Sequence, residues 1–323
     1  MTRPIPAFLK PPLRWADRHV SRVPWANLGP LSRYWARTIP PRTPPVLVLS
    51  LPRSGSSWVG NTLGAADDAL YLREPVTQPF LAGMPAGHPS VFEVDPDAPP
   101  EAYRRFAERA FAALPAFPRG IVRSPRQWAL GRRRARRLVV KEVNPLALAW
   151  LVGAFRPRII YLVRHPAAVA ASFARMGWTG AGLTARFTPR TVAAAGIDPG
   201  RFDGSFWAGH GAFQALTLRV ARQVLDGYAD CRWVRYEDLC TDPEGVFRTL
   251  ADFAGLAWGP GIERAITAQG EAGRGRTDDP YDTHRDSRAM AEAWRGSVPE
   301  AEARAVRDAY LAFDPAFYGP EAW

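Results

Sequence analysis

The sequence predicts a three-layer α/β fold, with a central, mostly parallel sheet of about four to five strands flanked by helices. Three observations carry that expectation. Short apolar runs recur at residues 46–51, 138–140, 158–163 and 231–234, each the length of a buried strand. Segments with helical periodicity separate them, and strands that alternate with helices pair in parallel through crossovers. The 323 residues, 47% of them hydrophobic, suffice for one large domain or two small ones.

The elements follow in order. Residues 1–45 are rich in Pro, Trp and Arg and read as an N-terminal extension to a domain spanning 46–323. That extension either packs over the domain or meets a membrane surface, where Trp and Arg are at home. Residues 46–51 form the first strand and a helix opens near Ser57. Residues 99–114 read as a helix, with Tyr103, Phe106, Ala110 and Leu114 spaced three or four apart. Strand 138–140, helix 145–155 and strand 158–163 come next. Pro166 then opens a helix, at a position where its missing N–H costs nothing. Residues 206–225 make a long amphipathic helix with Phe206, Phe213, Leu216, Val220 and Val224 on one face. After strand 231–234, Asp242 caps a helix that starts at Pro243. Helical segments near 289–294 and 299–313 complete the chain. The Gly-, Thr- and Asp-rich stretches 178–204 and 269–288 are long enough to be lids or acceptor loops.

Arg and Lys outnumber Asp and Glu by 42 to 31, a net charge of +11, which suits anionic partners without choosing among them. The GRRRARR run at 131–137 reads as a solvated turn before a strand, with binding of an acidic acceptor as the alternative; no aromatic-basic stacking pattern accompanies it, so nucleic acid is not an expected partner. Cys231 and Cys240 form neither a metal motif nor a disulfide framework, and the five histidines show no metal spacing. A reducing, cytoplasmic setting is expected. No run of 18 apolar residues is present.

The most informative stretch is VLVLSLPRSGSSWVG, residues 46–60. A buried strand running through a Gly/Ser turn into a helix makes an anion site. Successive N–H groups converge in the turn, the helix start adds positive charge, and Gly55 permits close approach. Ser54, Ser56 and Ser57 add hydroxyls and Arg53 a fixed charge. The loop lacks the Lys-Ser/Thr ending of a Walker motif, so a magnesium nucleoside triphosphate is a poor fit.

PRSGSSW, at 52–58, resembles the 5′-phosphosulfate-binding loop of sulfotransferases that use 3′-phosphoadenosine-5′-phosphosulfate (PAPS). Arg53 followed by S-G-S-S leans toward the carbohydrate-type and bacterial branch. A second stretch, RIIYLVRHPAAVAASFARMG at 158–177, is similar to the family's 3′-phosphate site, which pairs an Arg with a Ser eight residues on. Here these are Arg164 and Ser172. VRYEDL at 234–239 agrees with the strand and helix that follow. Arg274 and Arg276 fall where the family has a basic loop over the nucleotide. The resemblance spans residues 46–294 and implies a P-loop-like fold, PAPS as co-substrate, no metal, and residues 53–58 as nucleotide contacts, Trp58 included.

It also implies roles for the chemistry, a displacement governed by positioning and charge stabilisation. Arg53 and Lys141 are candidates for the leaving-group oxygen. The cytosolic members' base, a His two residues after that Lys, is absent, since Val143 stands there. Two carboxylates remain, Glu74 in YLREPV and Glu142 beside Lys141, and Glu74 is preferred because strand neighbours face opposite ways. His165 reads as a structural residue. The acceptor is a hydroxyl or amine of a carbohydrate, lipid or secondary metabolite. Two other readings stand beside this one: a P-loop kinase-like NTPase, and a nucleotide-binding protein without turnover.

Overall fold

The computed structural model describes residues 34, 37–114, 120–128, 130–178, 182–271 and 291–323. Five strands form one sheet: β1 Arg42–Ser50, β2 Ala69–Arg73, β3 Arg137–Glu142, β4 Arg158–Val163 and β5 Cys231–Arg235. Their order is β2-β3-β1-β4-β5, and every neighbouring pair is parallel. Alternate residues serve opposite faces. Val46 and Val48 join one core cluster while Leu47 and Leu49 join the other.

The helices are α1 Ser56–Leu63, α2 Thr77–Ala82, α3 Glu101–Phe111, α4 Leu148–Phe155, α5 Pro166–Arg175, α6 Pro189–Ala195, α7 Phe206–Leu225, α8 Tyr236–Thr241, α9 Pro243–Ala254, α10 Pro260–Glu271 and α11 Glu300–Leu311. Buried residues of α1 and α9 pack on the face of Val46 and Val48. Those of α3, α4, α7 and α11 pack on the face of Leu47 and Leu49, so the three layers are as expected. Capping follows the side chains. Asp242 accepts from the Gly245 N–H at 2.9 Å to start α9, which ends at the left-handed Gly255.

The sequence reading missed β2, Ala69–Arg73. It also placed the start of β1 at 46, whereas the strand begins at Arg42, with a register shift before Val46. The segment at 145–147 is a 3₁₀ turn that leads into α4, and the stretch 178–204 contains α6. The GRRRARR run is not a purely solvated turn. Arg133 is fully buried, donating from Nε to the Ile39 carbonyl at 2.6 Å and from Nη2 to that of Ala113 at 2.8 Å. Among the described residues no helix is long and apolar enough to cross a membrane.

This strand order positions the site. The chain leaves β1 in the middle of the sheet, with β3 on one side and β4 on the other. Ligands of open α/β sheets gather at such a switch point, outside the carboxyl ends of the strands.

Candidate active site

The loop after β1 curls because two of its residues take left-handed backbone, Arg53 at φ 70° and Gly55 at φ 95°. Alternating hand turns successive N–H groups inward, and the opening N–H groups of α1, Ser56 and Ser57 among them, lack acceptors one turn back. Gly55 has a second reason to be glycine. A Cβ there would lie 2.4 Å from Cδ2 of Tyr236. Ser54 and Ser56 are buried, Ser57 is half-buried. Trp58 supplies backbone only, because its indole packs inward, edge-on to Tyr236 and Phe247.

The β4 side closes on this loop. Arg164 donates from Nη1 to the Arg53 carbonyl at 3.0 Å, and its guanidinium lies 4.3 Å above the Tyr236 ring. Arg53 in turn donates from Nε to Oγ of Ser172 at 2.9 Å. The two stretches singled out in the sequence, 52–58 and 164–172, therefore form one cationic cradle. Ser172 is buried on α5 and accepts in this contact, so its own proton is left for another acceptor.

On the β3 side, Lys141 is the second-last residue of its strand and lies beside α1. Its ammonium meets Oε1 of Glu74 at 2.5 Å, with Lys141 2% and Glu74 24% exposed. Glu74 follows β2 and has φ 51°, which breaks the strand's alternation at this residue. Burial pushes the Glu74 carboxyl up, but the Lys141 charge and hydrogen bond outweigh it and hold the carboxyl below its usual range. Burial lowers the Lys141 ammonium in turn, with Glu74 opposing.

Glu142 takes no part in that pair. It is fully buried, and accepts from the Val76 N–H at 2.7 Å and the Thr77 hydroxyl at 2.6 Å, fastening the start of α2. Desolvation raises its pKa to about 7, against the pull of those hydrogen bonds. A carboxyl whose folded pKa is raised favours the folded state most when protonated, and that advantage is lost as pH rises through the folded value. Wild type is therefore expected to lose stability relative to Glu142→Gln between about pH 4.5 and 7. Thermal melts of the two at both pH values check this.

Arg274 and Arg276 lie outside the described residues. His165 is buried, stacked on Trp294 at 4.2 Å, with Nε2 3.1 Å from the Ala322 carbonyl. Burial, more than that carbonyl can offset, drops its pKa to about 3, so it is neutral at physiological pH. Among the described residues no group of three His, Cys, Asp or Glu side chains is placed to hold a metal.

Sequence reasoning missed Tyr236, Asn144 and Glu93. Tyr236 is the floor between Gly55 and Arg164. The Asn144 Oδ1 accepts from the Phe92 N–H at 3.2 Å, and Glu93 accepts from the Thr188 N–H and the Thr191 hydroxyl, both at 2.6 Å. These contacts tie the segment at 92–93 to Asn144 just after β3 and to the start of α6. Only the aromatic in VRYEDL carried any signal for the first, and nothing local marks the other two.

A family model described as Sulfotransferase family matches residues 44–260. Carbohydrate sulfotransferase 5 of Mus musculus is 30% identical over an alignment covering 81% of this chain and 77% of that protein. Carbohydrate sulfotransferase 6 of Homo sapiens is 29% identical, with the same coverage of 81% and 77%. Among solved structures, the sulfotransferase domain from the Synechococcus PCC 7002 olefin synthase overlays with a TM-score of 0.47 at 20% identity, covering 86% of this chain and 97% of that one. With its phosphate-type loop at the centre of an all-parallel sheet and a family match across most of its length, the chain belongs to the sulfotransferase family.

Proposed function

We propose that the protein transfers a sulfonate group from PAPS to an acceptor hydroxyl or amine by metal-free in-line displacement. The loop of Arg53, Ser54, Gly55, Ser56 and Ser57 receives the 5′-phosphosulfate. Arg164 and Ser172 receive the 3′-phosphate. Glu74 takes the proton of the acceptor as its oxygen or nitrogen attacks sulfur. The bond from sulfur to the bridging oxygen breaks, and Lys141 with Arg53 stabilises the charge that collects on the departing adenosine 3′,5′-bisphosphate.

The observation that carries this reading is the Lys141–Glu74 pair beside the loop. It sets a base and a cation within one contact of each other, where both are needed. Before the nucleotide arrives each neutralises the other. As Lys141 turns to the phosphosulfate, Glu74 loses its counter-charge and its proton affinity rises. A carbohydrate hydroxyl is the acceptor favoured over a lipid or secondary-metabolite hydroxyl, because both curated relatives carry the name carbohydrate sulfotransferase.

The test is thermal unfolding with adenosine 3′,5′-bisphosphate, with Mg-ATP, and with neither. A ligand at a hundred times its Kd adds about 2.7 kcal/mol to the folded state. Stabilisation by the bisphosphate, lost in Arg164→Ala, is the expected result. Stabilisation by Mg-ATP alone would overturn the reading in favour of a kinase-like NTPase.

A further inference from the structure

The outer edge of the sheet carries positive charge that the transfer chemistry leaves unused. β2 is the edge strand, and Arg73 ends it in register with Lys141. Tyr71, two residues earlier, shares the face of Arg73. Its ring lies along α1, against Gly64 at one end and with its hydroxyl at Gly60 at the other, beside the stem of Lys141. Segment 121–123 runs along the exposed side of β2. The Arg73 N–H donates to the Ile121 carbonyl at 2.9 Å, and Leu72 forms an antiparallel bridge with Val122. That bridge brings Arg123 alongside Tyr71. Arg73 and Arg123 both act electrostatically on the Tyr71 hydroxyl, and Arg73 acts on the Glu74 carboxylate as well.

Arg73 and Lys141 thus both act on the Glu74 carboxylate, which Lys141 already holds, while Arg123 stands beside Tyr71. Among the described residues neither Arg73 nor Arg123 has an ion-pair partner. The Tyr71 hydroxyl is buried there with no hydrogen-bond partner, in a residue 2% exposed. Lys141 is committed to the nucleotide's leaving oxygen in the proposed transfer, but Arg73 and Arg123 are not among the nucleotide's proposed anchors, which follow β1 and β4, and β2 lies two strand spacings from β1, about 10 Å. Arg73 precedes Glu74 in the chain and acts on its carboxylate, so the edge cations stand beside the group that takes the acceptor's proton in the proposed transfer.

We infer that the acceptor is anionic, and that Arg73 and Arg123 receive a carboxylate or sulfate group adjoining the hydroxyl presented to Glu74. A guanidinium fork matches either group with two parallel hydrogen bonds. Arg73 and Arg123 are then specificity-determining residues, distinct from those that hold the nucleotide. This inference rests on the sulfonyl-transfer reading for the position of the acceptor.

Three probes that differ only at C6 test it: p-nitrophenyl β-glucoside, the corresponding glucuronide, and the glucoside 6-sulfate. Binding is measured by calorimetry with adenosine 3′,5′-bisphosphate present. At least one anionic probe is expected to bind about tenfold tighter than the glucoside, a difference of ~1.4 kcal/mol. The more favoured anion tells carboxylate from sulfate. The advantage should vanish in Arg73→Gln/Arg123→Gln, persist largely in Arg73→Lys, and shrink in high salt, as attraction at an exposed site does. Stabilisation by the bisphosphate, unchanged in the double variant, shows that the fold and nucleotide site are intact. Equal binding of the three probes, or an advantage that survives the double substitution, overturns the proposal. An anion advantage that depends on the arginines in a protein the bisphosphate does not stabilise would instead sink the transfer reading.

Discussion

Glu74→Gln is expected to lower kcat by ~10²–10⁴-fold, the usual contribution of a positioned general base. The amide oxygen still accepts from Lys141, so stabilisation by the bisphosphate should survive. Some stability is lost as well, because Lys141 is buried and no longer has its counter-charge. The pH profile separates the two carboxylates. kcat/KM reports the free enzyme, where Lys141 holds the Glu74 carboxyl below its usual range. With Glu74 as base, kcat/KM stays flat through neutral and mildly acid pH, with no limb above the usual carboxylate range. With Glu142 as base, it falls below about 7. A Glu74→Gln enzyme at wild-type rate, or an acid limb near 7, would remove Glu74 from the role.

Gly55→Ala is expected to damage both the fold and the loop. The new Cβ would stand 2.4 Å from Cδ2 and 2.7 Å from Cε2 of Tyr236, and the backbone at φ 95° is one that L side chains rarely adopt. Tyr236 has little room to retreat, with the Arg164 guanidinium over its ring and Trp58 against its edge. Strain and overpacking together predict a loss of about 2–5 kcal/mol. Nucleotide affinity should fall by roughly two orders of magnitude, as one charge-assisted contact is lost. Melting curves and bisphosphate titrations measure both. Adding Tyr236→Ala restores the space but not the backbone, so the double variant should recover only part of the stability. A Gly55→Ala protein that melts and binds like wild type would refute this geometry.

Both cases show what a sequence can carry. PRSGSSW is legible because an anion loop is local, and strand, turn and helix start occupy consecutive residues. Arg164 and Ser172 are legible for a similar reason, since one strand end and one helix present them eight residues apart. The partnership of Glu74 with Lys141 is different. It depends on β2 pairing with β3 in a register that sets Arg73 opposite Lys141, and on a left-handed residue just past the strand. Neither is written in YLREPV or KEVNP. The opposite orientation of Glu142 could be reasoned from strand alternation, but its task of holding the start of α2 could not. Tyr236 was out of reach because its importance comes from a glycine 181 positions earlier in the chain.

Arg53 and Glu74 share a property that bears on how this protein can be improved. Each places a side chain with a proposed role in the transfer on left-handed backbone, at φ 70° and 51°, where glycine would fold at lower cost. At Arg53, whose neighbours supply much of the loop's structure, the demands of folding and of chemistry pull in opposite directions. A laboratory search that rewards only heat resistance or expression yield has reason to discard that arginine. Selection for turnover has reason to keep it. Variant libraries of this chain are therefore best sorted on both traits at once, since either alone gives a misleading ranking at the loop.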